Sequence, residues 1–197
     1  MGFNNRIGKD GEGTFEVLKA IGEKHHLKVL EAERIEVSGQ AMSSTAIRQH
    51  VQNGDFHWAR KMLGRAYGIE GIVTRGHGIG RQLLYPTANL EIQNRVVPLD
   101  GVYITLCLVD QVWYRSVTNI GKRPTFGGEI ESKVETHLLD FDRDLYDQTI
   151  RIRLLHRLRG EKKFSGVDQL KSQIAYDCDR AVRYFSSDFI RRNLQYV

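Results

Sequence analysis

The chain has 197 residues, of which 41% are hydrophobic and 27% are charged, so it can bury a hydrophobic core. Its apolar runs are far shorter than the roughly 20 residues that cross a bilayer, and no signal-like segment opens it, which predicts a cytoplasmic protein without a membrane partner. The formal charge of +5 favours an anionic ligand but does not distinguish a nucleotide triphosphate from nucleic acid. Cys107 and Cys178 lie far apart without a Cys-x-x-Cys pattern, so we expect reduced thiols, not a disulfide framework or a zinc site.

Helical signals dominate the first 63 residues. Phe15, Leu18 and Ile21 recur at helical spacing, and residues 27–30 are apolar enough for a short strand.

Two further helices are predicted before the character of the chain changes. The serine pair at residues 43–44 offers an N-cap for a helix that Gly54 would end. Asp55 can cap the next helix, over residues 56–63, which Gly64 would end.

Beyond Gly64 the hydrophobic periodicity changes to two, which is typical of half-buried strands. Asp110-Gln111 is a plausible two-residue hairpin link between two of these segments. Six short strands with little helix between them predict a mainly β fold, an antiparallel barrel of the Greek-key type and not a parallel sheet. The predicted strands span residues 67–74, 88–92, 102–109, 112–119, 134–141 and 149–158.

A C-terminal helix is predicted because apolar residues recur along one face after residue 166. Ser165 and Asp168 have the spacing of a capping-box variant. We expect the apolar face to pack on the barrel and residues 186–197 to form a tail. The apolar face comprises Val167, Leu170, Ile174, Cys178, Ala181 and Phe185.

A glycine-rich stretch over residues 75–81 carries the most informative chemical signal. Glycines at alternate positions free the backbone to wrap a phosphate chain, and the flanking arginines supply positive charge. No Gly-Lys-Ser/Thr follows, as a Walker A loop requires, and strand signals follow where a dinucleotide fingerprint would need a helix. Taken alone, such a stretch is more often a flexible hairpin. The residues are Arg75, Gly76, Gly78, Gly80 and Arg81, and Pro86, Thr87, Ala88 and Asn89 follow them.

These residues, in series with later motifs, resemble riboflavin kinase, in particular the kinase half of the bacterial bifunctional riboflavin kinase/FAD synthetase. The resemblance runs over residues 64–185 in the expected order. It implies Mg²⁺-dependent transfer of the ATP γ-phosphate to the 5′-hydroxyl of riboflavin, giving FMN and ADP, with the glycine-rich stretch and Pro86 contacting substrate. The later motifs are Asp100-Gly101-Val102-Tyr103, Asn119-Ile120-Gly121-Lys122-Arg123-Pro124-Thr125-Phe126-Gly127, Val134-Glu135-Thr136-His137-Leu138-Leu139-Asp140-Phe141 and Asp144-Leu145-Tyr146.

The resemblance also implies individual roles. Thr87 would bind Mg²⁺ through its hydroxyl and Asn89 would help to hold the metal and phosphates, in keeping with the oxygen ligands that Mg²⁺ prefers. Glu135 would be the catalytic base that accepts the proton of the attacking hydroxyl, and Phe164 would touch the flavin. Without the resemblance, a threonine in a turn is commonly a backbone cap and a strand glutamate usually faces solvent. His137 is expected to be structural.

Residues 1–63 resemble the end of the adenylyltransferase domain of the same bifunctional family. The second of its two motifs places hydroxyls at a helix N-terminus with an arginine one turn on, which suits ATP phosphates, although a capping sequence would look the same. The family's His-x-Gly-His element and first strands are absent, so the segment is a natural remnant or a truncated piece, and FAD synthesis is expected only in a full-length parent. The motifs are Gly2-Phe3-Asn4-Asn5-Arg6-Ile7-Gly8 and Ser43-Ser44-Thr45-Ala46-Ile47-Arg48, with Ser43, Ser44, Thr45 and Arg48 as the remnant site.

Two alternatives stay open. Leu84-Tyr85 stands where the family often has Gly-Phe or Gly-Ile, and this departure, with the incomplete first domain, leaves room for a flavin- or nucleotide-binding regulatory module of weak turnover. The basic row near residue 155 would suit a nucleic-acid-binding barrel, but without interleaved aromatic residues it is more often a solvated face. The sequence predicts neither the oligomeric state nor the preferred phosphate donor.

Overall fold

The computed structural model describes residues 6–76, 85–93, 96–124 and 130–187, and it forms two compact units, Met1–Ala46 and Ile47–Val197. The boundary predicted between residues 63 and 64 falls inside the second unit, because Phe56 and Ala59 belong to the same core cluster as the barrel strands. The predicted boundary marks where one sequence resemblance ends and the other begins, and it stays a prediction. Of the predicted tail, residues 188–197 lie outside the described residues.

The first unit contains helix α1 (Phe15–Lys24) and a hairpin of β1 (Glu36–Val37) and β2 (Gln40–Ala41). Thr14 caps α1 by accepting a hydrogen bond from the Val17 amide at 3.5 Å. The strand predicted over residues 27–30 is wrong. The Leu27 amide instead donates to the Gly22 carbonyl at 2.8 Å, which closes the end of α1. The start of this segment is therefore bonded to the helix and not to a partner strand.

Two helices precede the barrel in sequence, as predicted: α2 (Ser44–Gln52) and α3 (Phe56–Leu63). The Ser43 hydroxyl caps α2 by accepting from the Ala46 amide at 3.1 Å. Asp55 caps α3 by accepting from the Trp58 amide at 3.4 Å. Gly64 ends α3 in the left-handed conformation, with φ of 68°, which glycine adopts without strain.

Six antiparallel strands close into a barrel in the order β3-β4-β7-β6-β5-β8, which confirms the predicted fold class. Asp110 and Gln111 link β5 to β6 with positive φ angles of 48° and 65°, the conformation of a tight two-residue hairpin. The strands are β3 (Tyr67–Thr74), β4 (Ala88–Ile92), β5 (Gly101–Val109), β6 (Val112–Pro124), β7 (Ile130–Leu138) and β8 (Thr149–Arg159).

Strand β7 ends three residues earlier than predicted. The Leu139 amide donates to the Arg115 carbonyl at 2.8 Å, and Asp140 then turns the chain with a positive φ of 56°. The apolar Leu139 and Phe141 suggested a longer strand. Both side chains instead pack against the hydrophobic clusters without belonging to a strand.

Among the described residues, the barrel interior is mainly apolar and contains a string of four hydroxyl groups. Thr105 bonds to Ser116 at 2.7 Å and to Thr118 at 2.8 Å, and Thr118 donates to Thr136 at 2.9 Å. All four side chains are fully buried, so each hydroxyl needs its neighbour in place of water.

Helix α4 (Val167–Ser186) lies on the outer wall of the barrel, where Ala181 and Phe185 join a cluster with residues of β5, β6 and β8. The predicted capping box is wrong: Gly166 is the N-cap without a side-chain bond. Val167 is exposed and lies off the packing face. Within the described ranges, no helix combines the length and apolar character needed to cross a bilayer.

Candidate active site

A cavity of ≈ 570 Å³ lies on the outer wall of the barrel, between β5 to β7 and the first turns of α4. This volume is in the range of sites that hold small organic molecules. Its lining combines an apolar surface with a cluster of ionisable groups. The apolar side chains are Val102, Val117, Phe164, Leu170 and Ile174, and the ionisable ones include Lys133, Glu135, His137, Arg159, Glu161, Lys162, Lys163 and Asp177.

Strand alternation turns Glu135 toward this cavity. Its two neighbours in β7 are fully buried in the barrel, so the Glu135 side chain points outward. Its backbone is paired with Asn89 of β4 on one side and Asn119 of β6 on the other. Only 23% of the carboxylate side chain is exposed, and Lys133 Nζ lies 2.8 Å from its Oε1. The arrangement presents a proton acceptor to a partly enclosed, polar end of the cavity.

His137 holds the Pro86-Thr87 segment against β7. Its Nδ1 lies 2.8 Å from the Pro86 carbonyl oxygen and donates to it in the tautomer protonated at Nδ1. The Tyr85 ring meets the imidazole edge-on at 5.4 Å between centroids. Thr87 lines the cavity together with Glu135. His137 also lines the cavity, and its structural role stays a prediction.

The start of the glycine-rich stretch lies beside Asn89. A Cβ built on Gly76 would collide with the Asn89 side-chain amide, so the absence of a side chain at this position allows the close approach. The Arg75 guanidinium lies over the Tyr146 ring, 5.6 Å from its centroid. The other predicted residues of the stretch, Gly78, Gly80 and Arg81, and the unusual Leu84 lie outside the described residues.

Oxygen donors of the kind that Mg²⁺ prefers occur near Glu135. Thr87, which lines the cavity, supplies a hydroxyl. Asn89, which does not line the cavity, supplies an amide oxygen from β4, where it is paired with Glu135. Among the described residues there is no group of three or more His, Cys, Asp and Glu arranged for a metal. Mg²⁺ does not require one, because it usually takes one or two protein ligands, several waters and substrate phosphates. The donor set fits that ion.

A buried ion pair forms the opposite wall, and sequence reasoning missed it. Arg159 Nη2 lies 2.8 Å from Asp177 Oδ2, and only 14% and 3% of the two side chains are exposed. The Phe164 ring centroid lies 5.9 Å from the Arg159 guanidinium carbon. The sequence does carry a signal, because Asp177 falls between Ile174 and Ala181 on the apolar face of α4, where an acidic residue requires a partner.

Three arginines of β8 bond to groups in or beside the barrel strands. Arg151 pairs with Glu70 at 2.7 Å, and Arg153 donates to the Ala66 carbonyl at 3.0 Å. Arg157 donates to the Asp100 carbonyl at 2.8 Å. These three basic side chains therefore already have partners within the protein.

Both cysteines are free thiols in apolar surroundings, as predicted. Burial raises the pKa of Cys107 to about 12. Burial and the nearby Asp177 charge raise the pKa of Cys178, which lines the cavity, to about 11. Neither thiol is ionised near neutral pH, so neither is a nucleophile for the chemistry of this site.

The residues of the predicted adenylyltransferase remnant occupy the start of α2. The Ser43 hydroxyl is the helix cap, Ser44 is the first helical residue, and Thr45 follows it. Arg48 lies one turn further on and belongs to the second compact unit.

The barrel carries a cavity whose size suits a small organic molecule, with a carboxylate in its lining. The profile of the Flavokinase family, described as riboflavin kinase, matches residues 63–185. The chain belongs to the riboflavin kinase family.

Relatives with known names agree with this assignment. A bifunctional riboflavin kinase/FMN adenylyltransferase from Pseudomonas fluorescens is 37% identical over 90% of this chain and 57% of its own length. One from Haemophilus influenzae is 35% identical over 95% of this chain and 61% of its own length. The chain therefore spans about three fifths of these relatives.

A solved structure supports the fold. The crystal structure of a macrolide-efflux protein from Streptococcus pneumoniae superposes with a TM-score of 0.78 and 35% identity, over 90% of this chain and 57% of that one. We take from this likeness the architecture alone.

Proposed function

We propose that the barrel transfers the terminal phosphate of ATP to the 5′-hydroxyl of riboflavin, giving FMN and ADP. The observation that carries the proposal is the position of Glu135. Its carboxylate faces a cavity of ≈ 570 Å³ that Thr87 also lines, in a barrel that lies within the residues, 63–185, that match the family profile. The substrates are thus a flavin and a nucleotide, and FMN is the product.

Glu135 acts as the general base. It accepts the proton of the ribityl 5′-hydroxyl while that oxygen forms a bond to the γ-phosphorus and the bond from this phosphorus to the ADP oxygen breaks. The neighbouring Lys133 ammonium, 2.8 Å from the carboxylate, fixes one of its oxygens and leaves the other for the hydroxyl. Phosphoryl transfer needs little more than this acceptor, an aligned nucleophile and neutralised phosphate charge.

Thr87 and Asn89 would hold Mg²⁺, which supplies charge neutralisation on the transferred phosphate when it is bound. Support comes from their oxygen donors and from the contact of Gly76 with Asn89, which brings the start of the glycine-rich stretch to the same place. Arg75 and Gly76, with Gly78, Gly80, Arg81 and Pro86, would bind the nucleotide phosphates through backbone amides and positive charge.

The apolar part of the cavity would bind the flavin ring. Val102 and Val117 project from the barrel wall, Leu170 and Ile174 from α4, and Phe164 from the segment between β8 and α4. A flat apolar ring buries well against such side chains, while the ribityl chain extends toward Glu135.

The first unit does not by itself suit FMN adenylylation, the second activity in the names of the relatives. Its described residues, 6–46, contain a short 3-10 helix (Lys9–Gly11), α1, the start of α2 and a two-strand hairpin, with no larger nucleotide-binding sheet among them. We propose that FAD synthesis belongs to a full-length parent. The cytoplasmic location stays a prediction.

The regulatory module without turnover is not favoured. That alternative depended on Leu84, which lies outside the described residues, and on the incomplete first domain, whereas the position of Glu135 in the cavity lining supports the kinase proposal. Nucleic-acid binding is not favoured either, because Arg151, Arg153 and Arg157 of β8 already bond to groups in or beside the barrel strands.

The direct test incubates the purified chain with riboflavin, ATP and Mg²⁺ and separates the flavins chromatographically. The proposal expects FMN to accumulate with time and with enzyme concentration. No FMN above a reaction without enzyme would contradict it.

A further inference from the structure

The segment that joins β8 to α4 is bonded to the helix at regular intervals. Arg159, the last residue of β8, and two residues of this segment are spaced three apart, and each contacts one side chain of α4. Those helix residues are spaced four apart on one face. Chain and helix run in opposite directions along the contact. We call this set the polar ladder, and its rungs are Arg159 with Asp177, Lys162 with Gln173, and Ser165 with Gln169.

The innermost rung is the strongest. Arg159 donates to Asp177 Oδ2 from Nε at 2.9 Å and from Nη2 at 2.8 Å, and its Nη1 donates to the Gly160 carbonyl at 3.0 Å. Gln173 donates to the other Asp177 oxygen at 3.0 Å, which ties the first rung to the second. The buried carboxylate thus has partners on both oxygens, as a buried charge requires.

The outer rungs are more exposed and weaker. Lys162 Nζ donates to Gln173 Oε1 at 3.3 Å. Ser165 donates to Gln169 Oε1 from its amide at 2.9 Å and from its hydroxyl at 3.1 Å. Lys162, Ser165 and Gln169 are all exposed, so water competes for these bonds, whereas it is excluded from the innermost rung.

The polar ladder holds a wall of the cavity. Residues 160–164 have neither helical nor strand structure, yet Glu161, Lys162, Lys163 and Phe164 all line the cavity. A connecting segment without regular hydrogen bonds of its own would sample many conformations. Ordering it when a ligand binds would then cost conformational entropy. The bonds to α4 order it in advance.

We propose that Asp177 and Gln173 are positioning residues that preorganise this wall for riboflavin. They touch no reacting atom; they act through Arg159 and Lys162, which keep Phe164 at the edge of the cavity. The inference rests on the proposed function. Loosening the ladder should therefore weaken riboflavin binding and leave ATP binding and saturated turnover nearly unchanged, because Glu135 and Thr87 lie on other elements.

Two single variants and a matched control test this. Gln173→Ala removes an outer bond and the second partner of Asp177, and Asp177→Asn removes the charge of the buried rung. Asp179→Asn is the control, because Asp179 pairs with Arg183 at 2.7 Å on the same helix and does not line the cavity. The readouts are the riboflavin Kd from flavin fluorescence, the KM of each substrate, kcat and the melting temperature.

The expected riboflavin Kd and KM rise about 3- to 10-fold in Gln173→Ala and at least about 10-fold in Asp177→Asn, with the control unchanged. The KM of ATP and kcat at saturating riboflavin should stay within about 2-fold of wild type. A wild-type riboflavin Kd and KM in both variants would overturn the inference.

A double variant covers the case in which Asp177→Asn does not fold. Replacing the buried pair with apolar residues in Arg159→Met/Asp177→Leu usually preserves stability. We expect a melting temperature near wild type together with a raised riboflavin Kd, because apolar contacts lack the direction of the forked ion pair. If the double variant has both the melting temperature and the riboflavin Kd of the wild type, the ion pair contributes only to stability, and the inference is overturned. If the wild type binds riboflavin without phosphorylating it, the proposed function fails. The same comparison of riboflavin Kd values then still tests whether the polar ladder preorganises the cavity wall.

Discussion

Lys133 Nζ lies 2.8 Å from Glu135 Oε1, and the two side chains project from the same face of β7 into one cavity. Val134, which separates them in sequence, is fully buried on the other face. The strand period of two therefore brings the cation and the carboxylate together without any loop.

Lys133→Met should lower kcat about 2- to 5-fold, the size expected for a partly exposed ion pair. The Glu135 carboxylate would lose the partner that fixes one of its oxygens, while flavin and nucleotide contacts remain. Lys133→Arg should recover most of the activity, and Lys171→Met, on the exposed side of α4, should behave as wild type. Steady-state kinetics with both substrates varied measure this. Equal kcat in the Met and wild-type enzymes would show that the pair does not position the base.

Glu135→Gln should lower kcat by roughly 100- to 10,000-fold, because it removes the proton acceptor and keeps the size of the side chain. Because a loose transition state needs its base late, we expect a loss toward the low end of this range. The KM of riboflavin and of ATP should change little. Glu91→Gln, an exposed glutamate of β4 outside the cavity, is the control. A kcat close to wild type would make Glu135 structural and move the search for the base to another carboxylate.

Thr87→Ala should weaken Mg²⁺-dependent ATP binding about 10-fold or more by removing a hydroxyl ligand. Riboflavin binding without nucleotide should be unaffected. Thr87→Ser keeps the hydroxyl and should be close to wild type, as should Thr149→Ala at the exposed start of β8. Titration of ATP with and without Mg²⁺ distinguishes the outcomes. An unchanged Mg·ATP affinity in Thr87→Ala would remove the metal role.

Thr118→Val should lower the free energy of unfolding by about 1–3 kcal/mol. The Thr118 hydroxyl bonds to both Thr105 and Thr136 in the barrel interior, so the change leaves each of them with one fewer partner. Urea unfolding measures the loss, and the KM of riboflavin should stay at its wild-type value. A variant as stable as wild type would show that the string of hydroxyls contributes no net stability.

The sequence predicted the barrel well because its information is local. Alternation over residues 67–74 and 88–92 matches β3 and β4 residue for residue, and Asp110-Gln111 forms the predicted turn. Residues 27–30 were misjudged because an apolar run does not reveal whether a partner strand exists.

The cavity was only partly predictable. Motifs pointed to Thr87 and Glu135, which the structure places in one cavity. The pairing of Arg159 with Asp177 joins residues 18 apart through the angle between β8 and α4, and no periodicity specifies that angle. Lys133 was missed because a strand lysine usually faces solvent.

Transfer of label from ATP labelled in its γ-phosphate tests the central claim most directly. With riboflavin and Mg²⁺ present, we expect the label to appear in FMN, and FMN and ADP to form in equal amounts that depend on riboflavin. Formation of ADP without labelled FMN, or no transfer of label at all, would contradict the assignment of this barrel as a riboflavin kinase.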